Sequence, residues 1–167
     1  VTQSVEKINS MCSRLSLLSE RSKVSPRQSN LDQIVTECMK GLDGLFKVPV
    51  QCSLGRVHEL CVDAEQMQKV VGNLLLNASE AVSEGGKITV STLMSGGWAQ
   101  LVISDTGCGM SREFVETRLF RPFQTTKPKG MGIGLFHCKT IVEAHGGRIE
   151  VETEEGTGST FRVYLPG

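Results

Sequence analysis

The sequence predicts an α+β fold, with one antiparallel or mixed sheet carrying helices on one face. Three observations point there. Segments of alternating apolar and polar residues come in pairs joined by short glycine turns, as in "KITVSTLM", "SGG" and "WAQLVISD", the mark of a β-hairpin. The helical segments carry their apolar residues on one side. Strands and helices follow one another without the regular strand–helix alternation of a parallel sheet.

The bulk numbers suit this reading. The chain has 167 residues, enough for one domain with an appended segment, and 39% hydrophobic residues, enough for a real core. Net charge is zero, and no basic run offers a surface to nucleic acid or an anionic membrane. No stretch reaches the ~18–20 apolar residues of a membrane span, and no signal peptide opens the chain. It begins at Val1 and is expected to be a piece of something longer. Cysteines stand at 12, 38, 52, 61, 108 and 138, without CxxC or zinc-like spacing, as reduced thiols in a cytosolic protein would.

Taken in order, Val1, Val5, Ile8, Cys12 and Leu15 form a short heptad-like stripe suited to pairing with another helix. The stretch 24–29 reads as a linker. Asn30 or Ser29 can cap a helix running through "LDQIVTECMKGLDGLF". "VPVQCSL" and "ELCVD" read as short strands around a turn at Gly55. A helix from about Ala64 to Val82 stops at "SEGG", and the hairpin follows. After "TGCGM" come a short helical piece, "SREFVETRL", and an irregular loop from Arg121 to Lys129. "GMGIGLFHCKTIVEAHGG" is a helix bounded by glycines, and "GRIEVETEEGTGSTFRVYLP" closes the chain as two strands.

The chemistry concentrates in three places. On a helical wheel, Met67, Val70, Val71, Leu74, Leu75, Ala78, Ala81 and Val82 share the buried face of 64–82. Gln66, Asn73, Asn77 and Glu80 line one edge of it, with Lys69 just beyond. Boundary amides satisfied by water are the plain alternative, but oxygen ligands on a rim suit a hard cation such as Mg²⁺. "ISDTGCGM" ends a strand at Asp105, and Gly107 and Gly109 permit close backbone approach. In "KGMGIGLF", glycines at 130, 132 and 134 open a helix whose free N–H groups can bind phosphate, with Lys127 and Lys129 beside it. A plain hinge is the alternative there. Neither the P-loop, the dinucleotide fingerprint nor the protein-kinase signature set is present.

In order, "NLLLNASEA", "DTGCGM", "LFRPF" and "GMGIGL" resemble the N, G1, F and G2 boxes of sensor histidine kinases. The likeness covers roughly residues 30–166, and its wording is nearest to the NtrB-like and PEP-CTERM (PrsK-like) types. It implies the catalytic ATP-binding domain shared with gyrase, Hsp90 and MutL. That is the Bergerat fold, a two-layer α/β sandwich with a mixed, mostly antiparallel sheet and a lid over the nucleotide.

The resemblance also implies roles. Asn77 would ligate Mg²⁺, Asn73 would line the phosphates, and Glu80 or Lys69 would support them. Asp105 would accept the adenine amino group, with Gly107, Gly109 and Met110 along the base and ribose. Phe120 and Phe123 would anchor a lid from Gln124 to Gly130, and Thr126 and Lys127 would reach the outer phosphates. Gly130, Met131, Gly132, Ile133, Gly134 and Leu135 would cradle them, while Ser159 or Thr160 would add a hydroxyl near the adenine. Asn73, Asn77 and Lys127 would be the catalytic set.

Hydrolytic relatives keep a glutamate at the position of Asn73, so an amide there implies phosphate given to a protein rather than to water. The implied partners are a phosphoacceptor histidine hairpin, a cognate response regulator and a second protomer in the parent protein, on the bacterial cytoplasmic side. Residues 1–23 would be the tail of that hairpin. His58, His137 and His145 read as structural or surface residues. A serine kinase of the anti-sigma type and a hydrolytic ATPase of the same fold are the rival implications.

Overall fold

The computed structural model describes residues 24–127 and 130–167. The expected hairpin tail at 1–23, with Cys12, and the expected phosphate-side cation Lys129 lie outside the described residues.

The strands are β1 (Arg27–Ser29), β2 (Val50–Leu54), β3 (Leu60–Val62), β4 (Ile88–Ser95), β5 (Trp98–Asp105), β6 (Arg148–Glu154) and β7 (Gly158–Pro166). The helices are α1 (Leu31–Gly41), α2 (Ala64–Ala81), α3 (Arg112–Thr117) and α4 (Gly134–Ala144). Five strands form the main sheet in the order β2-β4-β5-β7-β6. All its pairings are antiparallel except β2 with β4. The sheet is therefore mixed and mostly antiparallel, as the sequence predicts.

Local signals account for most boundaries. Asn30 caps α1 by accepting the Gln33 N–H at 3.0 Å, and Asp63 caps α2 through the Gln66 N–H at 3.1 Å. Ser95 pairs with Trp98, so the β4–β5 loop is Gly96-Gly97. Both glycines hold positive φ, 58° and 78°, the geometry that a tight two-residue hairpin demands. Inward residues of the sheet (Val90, Leu101, Ile103, Val163 and Leu165) and those of α2 and α4 (Val70, Leu74, Leu75, Cys138, Ile141 and Val142) form one core, each 0–1% exposed. The helices thus cover one face.

Three expectations change. The strands around Gly55 belong to different sheets, because β2 joins β4 in parallel while β3 pairs antiparallel with β1. A parallel neighbour needs a crossover, and α2 is that crossover. The predicted linker 24–29 ends in β1, whose three residues form a separate two-stranded sheet with β3. On α2, Ser79 is buried (7% exposed) while Ala81 is only half-buried, so the inward face is wider than apolar residues alone indicate.

His145 ties the two central helices together. Its Nε2 accepts the Asp63 N–H at 2.9 Å, so the proton rests on Nδ1 and is donated to the Ile141 carbonyl at 2.8 Å. Asp63 also accepts the Ser25 N–H at 2.8 Å. Burial works against its charge, but the Ser25 and Gln66 N–H groups outweigh that and hold the carboxyl below its usual range. His58 is exposed. Among the described residues Cys38, Cys52, Cys61, Cys108 and Cys138 are free thiols.

Candidate functional site

A cleft of about 500 Å³ opens between the rim of α2, the turn after β5, the loop from Arg118 to Ile133 and the first turn of α4. Most of the residues singled out from the sequence line it.

Asn73 and Asn77 stand half-buried on the rim, one helical turn apart. The Lys127 ammonium reaches across from the loop, donating to Asn77 Oδ1 at 3.0 Å and pairing with the Glu80 carboxylate. Two oxygens on the rim thus converge on one cation. Lys69 is exposed and does not line the cleft. The Asn73 amide hydrogen-bonds the Cys138 thiol, which burial pushes up to about 12 and so keeps protonated. Gly134, the first residue of α4, lies against Asn73, since a Cβ there would come within 3.5 Å of Asn73 Oδ1. Asn73 therefore joins α2 to the start of α4.

At the other end, Asp105 closes β5 with only 7% of its surface exposed. Burial raises its carboxyl above the usual value, opposed by the Gly107 and Ser159 N–H groups; Gly107 donates at 2.8 Å. Gly107 is buried and lines the turn rather than the cleft. A side chain there would strike the Ala81 carbonyl. Gly109 has φ +64°, and a Cβ on it would land on the Glu154 carbonyl oxygen. The chain passes where only glycine fits.

Between β6 and β7 the sequence left Ser159 and Thr160 open. Strand alternation separates them. Ser159 faces the cleft, while Thr160 points to the opposite face and shares a 2.7 Å hydrogen bond with Ser104.

The loop is pinched at its base by backbone. The Phe123 N–H donates to the Gly132 carbonyl at 2.9 Å. Gly132 holds φ +68°, and a side chain there would meet the Gln124 backbone at 2.6 Å. Phe123 itself is 38% exposed with φ 64°, and its backbone N–H takes part in this closure. Phe120 packs against the core, with the Lys139 ammonium 5.5 Å from its ring centre. Neither phenylalanine lines the cleft. Met110, Thr126, Gly130, Met131, Ile133 and Leu135 do. Helix α4 has no side-chain cap, leaving its first N–H groups and positive dipole end beside Asn73.

Sequence reasoning missed the apolar walls, Leu76, Phe114, Leu119 and Phe161, which carry no chemical signature. It also missed Thr153, which lies behind the wall and receives the Met110 N–H at 2.9 Å. The available signal was a hydroxyl residue at an inward position of β6, after Ile149 and Val151.

The geometry defines a class first: a two-layer α+β domain whose cleft offers a buried carboxylate at one end and a cation-holding rim with helix N–H groups at the other. Residues 62–167 match the model of the "Histidine kinase-, DNA gyrase B-, and HSP90-like ATPase" family, and the chain belongs to that family. It is 39% identical over 108 residues to sensor histidine kinase ZraS of Escherichia coli, covering 65% of this chain and 23% of that protein. It is 30% identical over 167 residues to sporulation kinase C of Bacillus subtilis, covering 97% of this chain and 39% of that one. The chain thus spans well under half the length of these curated relatives.

The nucleotide-free catalytic domain of histidine kinase ThkA superposes with a TM-score of 0.75 at 28% identity, over 85% of this chain and 95% of that one. The mycobacterial sensor histidine kinase MprB shares the fold, with TM-score 0.77 at 23% identity over 86% of this chain and 98% of that one. The nucleotide is ATP, and the domain is an ATP-binding catalytic domain of the kind found in two-component sensor histidine kinases. Among the described residues no helix is long and apolar enough to cross a membrane.

Proposed function

We propose that this domain binds Mg-ATP with the adenine against Asp105 and hands the γ-phosphoryl to a histidine on a helical hairpin of the parent protein. The observation that carries the reading is the rim of α2. Its carboxylate, Glu80, is engaged with Lys127, and the residue facing α4 is the amide Asn73. An amide cannot take a proton from water at neutral pH, so the site supplies charge and position but no base for hydrolysis.

The residues fit a magnesium ion. Asn77 Oδ1 and the Glu80 carboxylate already converge on a cation, the Lys127 ammonium. Among the described residues no three His, Cys, Asp or Glu side chains form a metal cage, which suits an ion that keeps waters and takes its other ligands from phosphate. Asn77 would hold it, and when bound it would neutralise charge on the phosphates. Lys127 then turns from the rim to the outer phosphates. The uncapped N–H groups at the start of α4 face the same charge, and Asp105 rejects guanine, which offers a carbonyl where adenine offers an amine.

The partners on this reading are the hairpin of the same or a second protomer and a response regulator that takes the phosphoryl from the histidine. On this reading the domain works on the cytoplasmic side of a bacterial cell, where ATP is available. The experiment is phosphotransfer in trans: the chain, Mg²⁺ and radiolabelled ATP are mixed with the parent protein's hairpin. Label should appear on the hairpin histidine, while ATP turnover by the chain alone stays slow. Brisk turnover without acceptor, or label mapped to His58 or to a serine, would overturn it.

A further inference from the structure

Asn77 and Glu80 stand three residues apart, neighbours on one side of a helix, and both line the cleft. The cation between them comes from the loop. The Lys127 ammonium donates to Asn77 Oδ1 at 3.0 Å and pairs with the Glu80 carboxylate.

The lysine is aimed at the rim by its own backbone. Its N–H donates to Thr125 Oγ1 at 3.0 Å, and its carbonyl accepts the Gly130 N–H at 3.2 Å. A Cβ on Gly130 would come within 2.7 Å of Thr125 Oγ1 and 3.1 Å of the Lys127 Cβ. Glycine therefore lets the loop close tightly around the residue that carries the charge.

Two cations cannot share this rim. An ammonium has only donors, and it directs them at the oxygens that a hard divalent ion would need. An ion arriving beside it meets like charge at close range. The lysine can leave only for other anionic oxygens, and a polyphosphate brings them.

We propose that Lys127 is the rim's own resident cation: it keeps a divalent ion off Asn77 and Glu80 until a polyphosphate draws the ammonium away, so that metal enters with the nucleotide and not before it. The inference rests on the Mg-ATP reading of the cleft and adds the order in which its cations change places.

The test begins with metal alone. Mn²⁺ shares the preference of Mg²⁺ for carbonyl and carboxylate oxygens, and its free concentration is read by electron paramagnetic resonance as the chain is titrated in. The unsubstituted chain should take it up weakly. Lys127→Met should bind it at least about fivefold tighter, the equivalent of losing one exposed ion pair as competitor. Adding Asn77→Ala to Lys127→Met should cancel that gain, which puts the ion on the rim. Lys69→Met removes the same charge from an exposed position on α2 outside the cleft and should leave the affinity as it is in the unsubstituted chain. With EDTA present, inorganic tripolyphosphate should bind the unsubstituted chain and bind Lys127→Met several-fold less tightly, measured by calorimetry.

A Lys127→Met chain that binds Mn²⁺ no tighter would overturn the proposal. So would an equal gain from Lys69→Met, a gain that survives Asn77→Ala, or equal binding of tripolyphosphate by both chains. None of these arms contains a base. If all of them come out as expected and the chain still binds no Mg-ATP, the ATP reading of the cleft falls instead.

Discussion

Replacing Asp105 by Asn tests the base end of the site with one atom. The Asp105 Oδ1 oxygen is committed to the Gly107 N–H at 2.8 Å. An asparagine must keep its carbonyl oxygen there, which turns its NH₂ towards the cleft. The adenine amine then meets a donor instead of an acceptor. A hydrogen bond to a charged group contributes about 1.5–3 kcal/mol, so the loss corresponds to roughly a 10- to 150-fold rise in the Kd for ATP. In a thermal melt with ATP at about 100 times the original Kd, the unsubstituted chain gains about 2.7 kcal/mol. A variant weakened ~30-fold gains under about 1 kcal/mol from the same ligand. Circular dichroism checks that the fold persists, and tripolyphosphate binding should be unchanged. An ATP Kd within twofold of the original would refute the assignment of Asp105 to the base.

Acid should weaken ATP binding in the unsubstituted chain earlier than an ordinary aspartate would, because burial raises the Asp105 carboxyl above 3.8 and its charged form is lost as pH falls through that raised value. Titrations of ATP affinity against pH, with Asp105→Asn as the control that lacks this component, check it. Gly109→Ala should cost at least about 2 kcal/mol, since the residue would hold a left-handed φ and its methyl would strike the Glu154 carbonyl; a urea midpoint shifted with unchanged slope measures it. Glu80→Gln frees Lys127 from an ion pair whose side chains are 39% and 57% exposed, and such pairs contribute at most about 1 kcal/mol. ATP should therefore bind up to about fivefold tighter by calorimetry, and weaker binding would show that Glu80 serves the bound state. Asp63→Ala should lower stability by about 1 kcal/mol at neutral pH through the lost cap. Because the folded carboxyl lies below its usual range, that difference should vanish as pH falls through and below it, as paired melts would record.

The turns and the rim were legible because their causes are local. Gly96-Gly97 needs φ > 0 at both positions, and Asn30, one of the two caps the sequence offered for α1, acts from three residues away. Asn73, Asn77 and Glu80 share an edge because a helix repeats every 3.6 residues. The cleft's apolar walls were not legible, since Leu119 or Phe161 looks like any core residue until a space opens beside it. Nor was the partner of Lys127, which lies 50 residues from Asn77 on a loop without periodicity.

By itself the sequence determined most of the elements, β1 excepted, together with the glycines at close approach and the polar residues along the rim of α2. Only the tertiary structure decided that β2 lies parallel to β4 across α2, that Ser159 rather than Thr160 faces the cleft, and that Thr153 sits where Met110 and Ser159 can share it. The reason is range. Backbone conformation is set by neighbours within a turn or two, while a hydrogen bond between Met110 and Thr153 spans 43 residues and leaves no trace in either local pattern. Packing of the sheet against the helices creates that contact.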